Sequence, residues 1–135
     1  MAVARGVTIT FEVRTLPDHL RLDCAGTYLQ ESVLAIYEQA FELAARAGRD
    51  AVLIDARSLT GREPTLTQRY AQAVLVAELQ SSQKPRIRLA VLGNEPIIHP
   101  ERFGEIVAAN RGAVARVFTD ESAALEWLLA SPKTR

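Results

Sequence analysis

The chain has 135 residues, 48% of them apolar and 24% charged, which is room for one domain around one core. Sixteen Lys and Arg balance sixteen Asp and Glu, so no net field draws the protein to nucleic acid or to an anionic membrane surface. The single cysteine, Cys24, excludes an internal disulfide framework and a multi-thiol zinc site. No stretch approaches the roughly 20 apolar residues of a membrane span, and Met1–Gly6 has no apolar core for a signal peptide. The expectation is a cytoplasmic protein with no nucleic-acid partner and no membrane span.

Val7-Thr8-Ile9-Thr10-Phe11-Glu12-Val13-Arg14 alternates apolar and polar, which predicts a strand with one buried face. Pro17-Asp18 marks a turn. His19–Gly26 then alternates again with Leu20, Leu22 and Cys24 on one side, completing a hairpin. The period changes next: Val33, Tyr37, Ala40, Phe41 and Ala44 recur at helical spacing up to Gly48, and Thr27 with Gln30 has the spacing of a capping box. Ala51-Val52-Leu53-Ile54 is a continuous apolar run ending at Asp55, as in a strand buried on both faces. A polar loop, Arg57–Glu63, leads to Pro64 and a second capping-box pair, Thr65 and Gln68. These predict a helix from about Leu66 to Ser81 with Leu66, Tyr70, Ala73 and Ala77 facing the core.

After the loop Ser81–Pro85, Ile87–Leu92 reads as a strand closed by Gly93-Asn94-Glu95-Pro96. Pro100 opens a third helix carrying Phe103, Ile106, Val107 and Asn110, and Gly112 ends it. Val114–Phe118 is the last strand. Thr119-Asp120 caps a final helix with Ala124, Leu125, Leu128 and Leu129 as its apolar stripe, and Trp127 at the core margin. Ser131–Arg135 is a polar tail. The order predicts a single α/β domain over residues 1–135, with a mixed five-stranded sheet and four helices.

Two sets of strings carry a family resemblance. One is Phe103-Gly104-Glu105-Ile106-Val107-Ala108-Ala109-Asn110-Arg111-Gly112, running into Val117-Phe118-Thr119-Asp120-Glu121 and Ala124-Leu125-Glu126-Trp127-Leu128. The other is Val52-Leu53-Ile54-Asp55 with Leu59-Thr60-Gly61 and Gln68-Arg69-Tyr70. Together with the element order, they resemble the SpoIIAA-like proteins, which share the STAS fold of anti-sigma-factor antagonists. The resemblance implies a non-enzymatic module that binds protein partners or, as in the related CRAL-TRIO folds, an apolar ligand. STAS antagonists carry a phosphorylatable serine in an Asp-Ser-Ser-Gly motif at the start of the helix after the central strand. Here Glu63-Pro64-Thr65 stands at that place, so the motif is missing and Thr65 is the one hydroxyl at the matching position.

Open α/β sheets receive ligands beyond the carboxyl ends of their parallel strands. That edge gathers Asp55, Arg57, Ser58, Arg62, Glu63 and Thr65, with Asn94, Glu95 and His99 nearby and Arg69 in the following helix. It is the expected partner or ligand edge, weighed against a plainer reading in which Asp55 pairs with an arginine to hold a solvated loop. Val74, Leu75, Val76 and Leu79 make the second helix apolar almost all round, which predicts a homodimer surface or a pocket wall unless neighbouring helices cover it. A small apolar ligand held between sheet and helices would be lined by Tyr37, Phe41, Tyr70, Val74, Phe103 and Val107. A hydrolase would need Ser58, His99 and Asp55 to converge, without the support of a nucleophile-elbow motif. Neither histidine has ligand-like spacing and no glycine-rich loop cradles phosphate, so no metal or cofactor is expected. Cys24 reads as a buried core residue.

Overall fold

The computed structural model describes residues 2–3, 9–82 and 86–130. Val7 and Thr8 of the first expected strand, residues 83–85 of the following loop and the 131–135 tail lie outside them. The opening hairpin is present: β2 (Ile9–Thr15) pairs antiparallel with β3 (Leu20–Thr27), and a two-residue strand β1 (Ala2–Val3) joins the outer edge of β2. The chain continues as α1 (Gln30–Ala47), β4 (Ala51–Thr60), α2 (Leu66–Ser81), β5 (Arg88–Leu92), α3 (Phe103–Asn110), β6 (Ala115–Phe118) and α4 (Glu121–Leu128). The five expected strands and the short β1 form one sheet in chain order, with β3 to β6 parallel.

That order determines where the helices go. Parallel neighbours in chain order joined by crossovers of one hand place every connecting helix on the same face. Thus α1 and α2 bury Ile36, Ala40, Phe41, Ala44 and Val76 against Leu20, Leu22, Cys24, Val52, Ile54, Leu89 and Val91. The terminal helix α4 is under no such constraint and covers the opposite face, where Ala124 and Leu128 meet Ala51, Leu53, Ala90 and Leu92. Trp127 sits at that margin, with its ring 5.8 Å from Phe118 and the Arg88 guanidinium 4.4 Å from its centroid.

The caps follow the sequence except at the N-termini of α1 and α3. Gly48 takes the left-handed conformation (φ 71°) that closes α1, because it has no Cβ to clash there. Thr27, however, belongs to β3, and Leu29 is the N-cap without a side-chain bond; Gln30 instead donates to the Gln68 carbonyl (3.1 Å) and accepts from the Tyr28 hydroxyl. The Thr65–Gln68 capping box is complete: the Gln68 N–H donates to Thr65 Oγ1 (3.0 Å) and the Thr65 N–H to Gln68 Oε1 (2.9 Å). Replacing Thr65 by Ala should therefore cost about 1 kcal/mol in a denaturant titration followed by circular dichroism. Asp120 caps α4 by accepting from the Ala123 N–H (2.9 Å). Pro100 precedes α3 by a turn, and Arg102, with a left-handed backbone (φ 57°), is its N-cap.

Two expectations need correction. The segment expected as a polar loop from Arg57 to Glu63 is mostly strand: β4 runs to Thr60, with a register shift against β3 between Asp23 and Ala25. Its continuous apolar run stops at Ile54, but the strand continues to Thr60. The second correction is the rotation of α2. Its buried face is Arg69, Ala73, Val76 and Gln80, whereas Leu66 and Tyr70 are exposed. Two polar side chains with internal partners occupy positions that periodicity reserves for apolar ones.

Candidate functional site

Charge is concentrated where β3 and β4 extend past α4. Arg21, buried on β3, donates through Nη2 to Asp55 (2.8 Å), through Nε to Asp23 (2.8 Å) and through Nη1 to Glu121 at the start of α4 (2.9 Å). Arg57 grips Asp55 and Glu121 from outside (2.8 and 2.9 Å), and Arg14 holds Asp23 (3.0 Å). Burial alone would raise the Asp55 carboxyl, but hydrogen bonds from Arg57 and the nearby Arg21 hold it below its ordinary range. Glu121 is lowered chiefly by its bond to Arg21. Asp55 and Arg57, expected at the partner edge, are thus occupied in pinning α4 to the sheet. Arg21, Asp23 and Glu121, which complete the cluster, carry no sequence signal beyond polarity.

The rest of the expected edge divides. Arg62, Glu63 and Thr65 are exposed immediately before α2, and Ser58 is exposed on β4. Arg69 is only 6% exposed: it turns inward and donates to the carbonyls of Ile97 (2.9 Å) and Pro96 (2.7 Å), with Glu63 at 3.7 Å. The apolar set on α2 also divides. Val76 is a core residue that also lines the cavity beneath the helix, Leu79 packs against the core, and Val74 and Leu75 are half-buried. The helix is apolar all round because it packs against both α1 and α3. Among the described residues the most exposed large apolar side chains are Leu66 (55% exposed) and Tyr70 (44%) on α2 and Ile106 (53%) on α3, followed by Val13 and Leu129.

Between the sheet and α1, α2 and α3 lies a cavity of about 110 Å³. Ile54, Val76, Leu89 and Val91 give it an apolar floor, while Tyr28, Arg69, Gln72, His99, Arg102 and Glu105 add polar groups. Of the six residues expected to line such a space, Tyr37 does so; Phe41 is buried in the core and Tyr70 is exposed. Cys24 is on the wall, buried as expected, and burial pushes its thiol up to about 12, so it stays protonated.

Ser58, His99 and Asp55 do not assemble into a hydrolytic triad. Asp55 is bound to Arg21 and Arg57 on the side of α4, while His99 lines the cavity on the opposite side and accepts the Glu101 N–H through Nδ1 (3.0 Å). No helix among the described residues is long and apolar enough to cross a membrane.

No protein-family model matches the sequence, and no curated protein matches it. Solved structures do match the fold. The chain is similar to an anti-sigma factor antagonist from Mycobacterium paratuberculosis, with a TM-score of 0.59 and 13% identity over 91% of this chain and 96% of that one. It is also similar to the anti-sigma factor antagonist SpoIIAA in its unphosphorylated form, with a TM-score of 0.55 and 11% identity over 87% and 95% of the two chains. An uncharacterized Shewanella loihica protein with a SpoIIAA-like fold is 22% identical over 90% of this chain and 93% of that one, at a TM-score of 0.49. Across 91% of its length, therefore, the chain has the STAS, SpoIIAA-like fold found in anti-sigma factor antagonists.

Proposed function

We propose that this domain is a non-catalytic cytoplasmic regulatory module that binds a partner protein through the outer face of α2 and α3. The observation that carries this reading is the exposure of Leu66, Tyr70 and Ile106 on two helices that pack together, next to the charged Arg62 and Glu63. Large apolar side chains flanked by charge mark a surface that another protein covers. The fold neighbours named as anti-sigma factor antagonists make an anti-sigma factor the first partner class to test. A phosphorylation switch at Thr65 has less support, because that hydroxyl already caps α2.

A homodimer through Val74, Leu75, Val76 and Leu79 is disfavoured by the burial of Val76; a second copy would dock on the Leu66, Tyr70 and Ile106 face instead. The test places a photo-crosslinking residue at position 66 in the producing cells, with a control at position 129, just past α4. A protein captured at 66 and not at 129, and lost when Ile106→Glu is added, supports the reading. Ile106→Glu should leave the melting temperature within about 2 °C, as for a surface change. Equal capture at both positions, or none at 66, sinks it.

A further inference from the structure

We infer that the cavity beneath α2 and α3 is a binding site for a small monocarboxylic acid with a compact apolar body. This inference does not depend on the protein-interaction reading. A cavity of about 110 Å³ is far more than one water requires, about 10–15 Å³, and has room for a molecule the size of on the order of eight waters. Its floor of Ile54, Val76, Leu89 and Val91 offers water few partners and favours an apolar occupant.

One end of the cavity is cationic. Arg69 lines it, is more than nine-tenths buried, and has its Nε–H without a hydrogen-bond partner among the described residues. A buried, unmatched donor on a charged group is costly, and the Glu63 carboxylate 3.7 Å away is largely exposed and a weak counter-ion. Burial accordingly lowers Arg69 from the usual arginine range. The start of α3 stands at the same end: Arg102, Gly104 and Glu105 line the cavity, and no side chain caps the helix.

The lining includes one acid and three arginines, of which Arg102 is exposed and Arg116 lies over the Phe118 and Trp127 rings, leaving Arg69 as the buried cation. That acid, Glu105, is already occupied, accepting the Val117 N–H (3.0 Å) and facing Arg116 Nε at 3.7 Å. A carboxylate is the group this end lacks, since it supplies both the acceptor for Nε and the missing charge. Its apolar body then replaces water along Ile54, Val76, Leu89 and Val91.

The experiment is calorimetric titration of the intact protein with benzoate and octanoate, using benzyl alcohol and octan-1-ol as uncharged controls. Saturable binding of at least one acid is expected, about ten- to a hundred-fold tighter than its alcohol, the margin for a charge-assisted bond to a buried group. Arg69→Lys keeps a cation but removes the Nε donor, and should bring acid and alcohol to within about three-fold of each other. Ala73→Met fills the cavity from α2, one turn from Arg69, so binding of both classes should disappear while the fold persists. The inference is overturned if neither acid binds at concentrations up to about 10 mM. It is equally overturned if alcohols bind the unmodified protein as well as acids do, or if a folded Ala73→Met protein still binds. Should Arg69→Lys fail to fold, the acid-to-alcohol ratio and Ala73→Met decide the matter by themselves.

Discussion

Arg21→Ala is expected to destabilise the protein by about 3 kcal/mol, the lower end of the range for breaking a buried ion pair. Among the described residues Arg21 is the one cation that touches Asp23, Asp55 and Glu121 together, and it is buried. Its loss leaves Asp55 and Glu121 with Arg57, and Asp23 with Arg14, so the acids keep one partner each and the cost stays below that of a bare buried charge. The pH dependence follows from the lowered carboxyls. Asp55 and Glu121 titrate below their ordinary values of 3.8 and 4.5 in the folded protein. Their contribution is therefore complete above about pH 5 and is lost as pH falls through the folded values. Arg21 and Arg57 are both raised and stay charged throughout this window.

The difference between wild type and Arg21→Ala should accordingly be widest near neutrality and close toward about pH 2–3, measured as urea midpoints across that range. A constant difference would assign the cost to lost packing of the arginine stem rather than to charge. Arg21→Met, which keeps the stem, separates the two causes.

The second large effect is expected at Gln80. Its amide, fully buried at the end of α2, donates through Nε2 to the Ile87 carbonyl (2.7 Å) and the Val114 carbonyl (2.8 Å), and accepts the Val114 N–H through Oε1 (2.7 Å). One side chain thus ties α2 to the approaches of β5 and β6. Gln80→Leu keeps the volume but leaves the Val114 N–H and the Ile87 carbonyl without these bonds; Val114's carbonyl retains the Leu89 N–H (3.2 Å). Two backbone groups, one buried and one half-buried, at about 1–3 kcal/mol each give an expected loss of about 2–6 kcal/mol. Hydrogen exchange should show faster opening at Val114 than on α4, which packs on the other face. A loss below about 0.5 kcal/mol would mean that water replaces the amide, and that the clamp contributes little.

Local chemistry sufficed for much of the molecule. Strict alternation around Pro17-Asp18 produced the hairpin, and the Gly48, Thr65–Gln68 and Asp120 stops are local backbone events. That α1, α2 and α3 share one face follows from the strands pairing in chain order, which the tertiary structure supplied. The rotation of α2 was likewise beyond local reasoning. Arg69 and Gln80 look like surface residues until Pro96, Ile97, Ile87 and Val114 bring carbonyls to them from segments distant in the chain. The same holds for the candidate sites. Asp55 and Arg57 were visible as a charged pair, but that they are occupied depends on Arg21 from β3 and Glu121 from α4.

Composition and periodicity determine which residues prefer the interior, so the sequence by itself established the class of fold, the element order and most helix caps. The tertiary structure alone decided which polar side chains find partners inside, where a cavity remains, and which apolar side chains stay in water. Those outcomes depend on pairings between residues up to 100 positions apart, such as Arg21 with Glu121, and no local pattern encodes them.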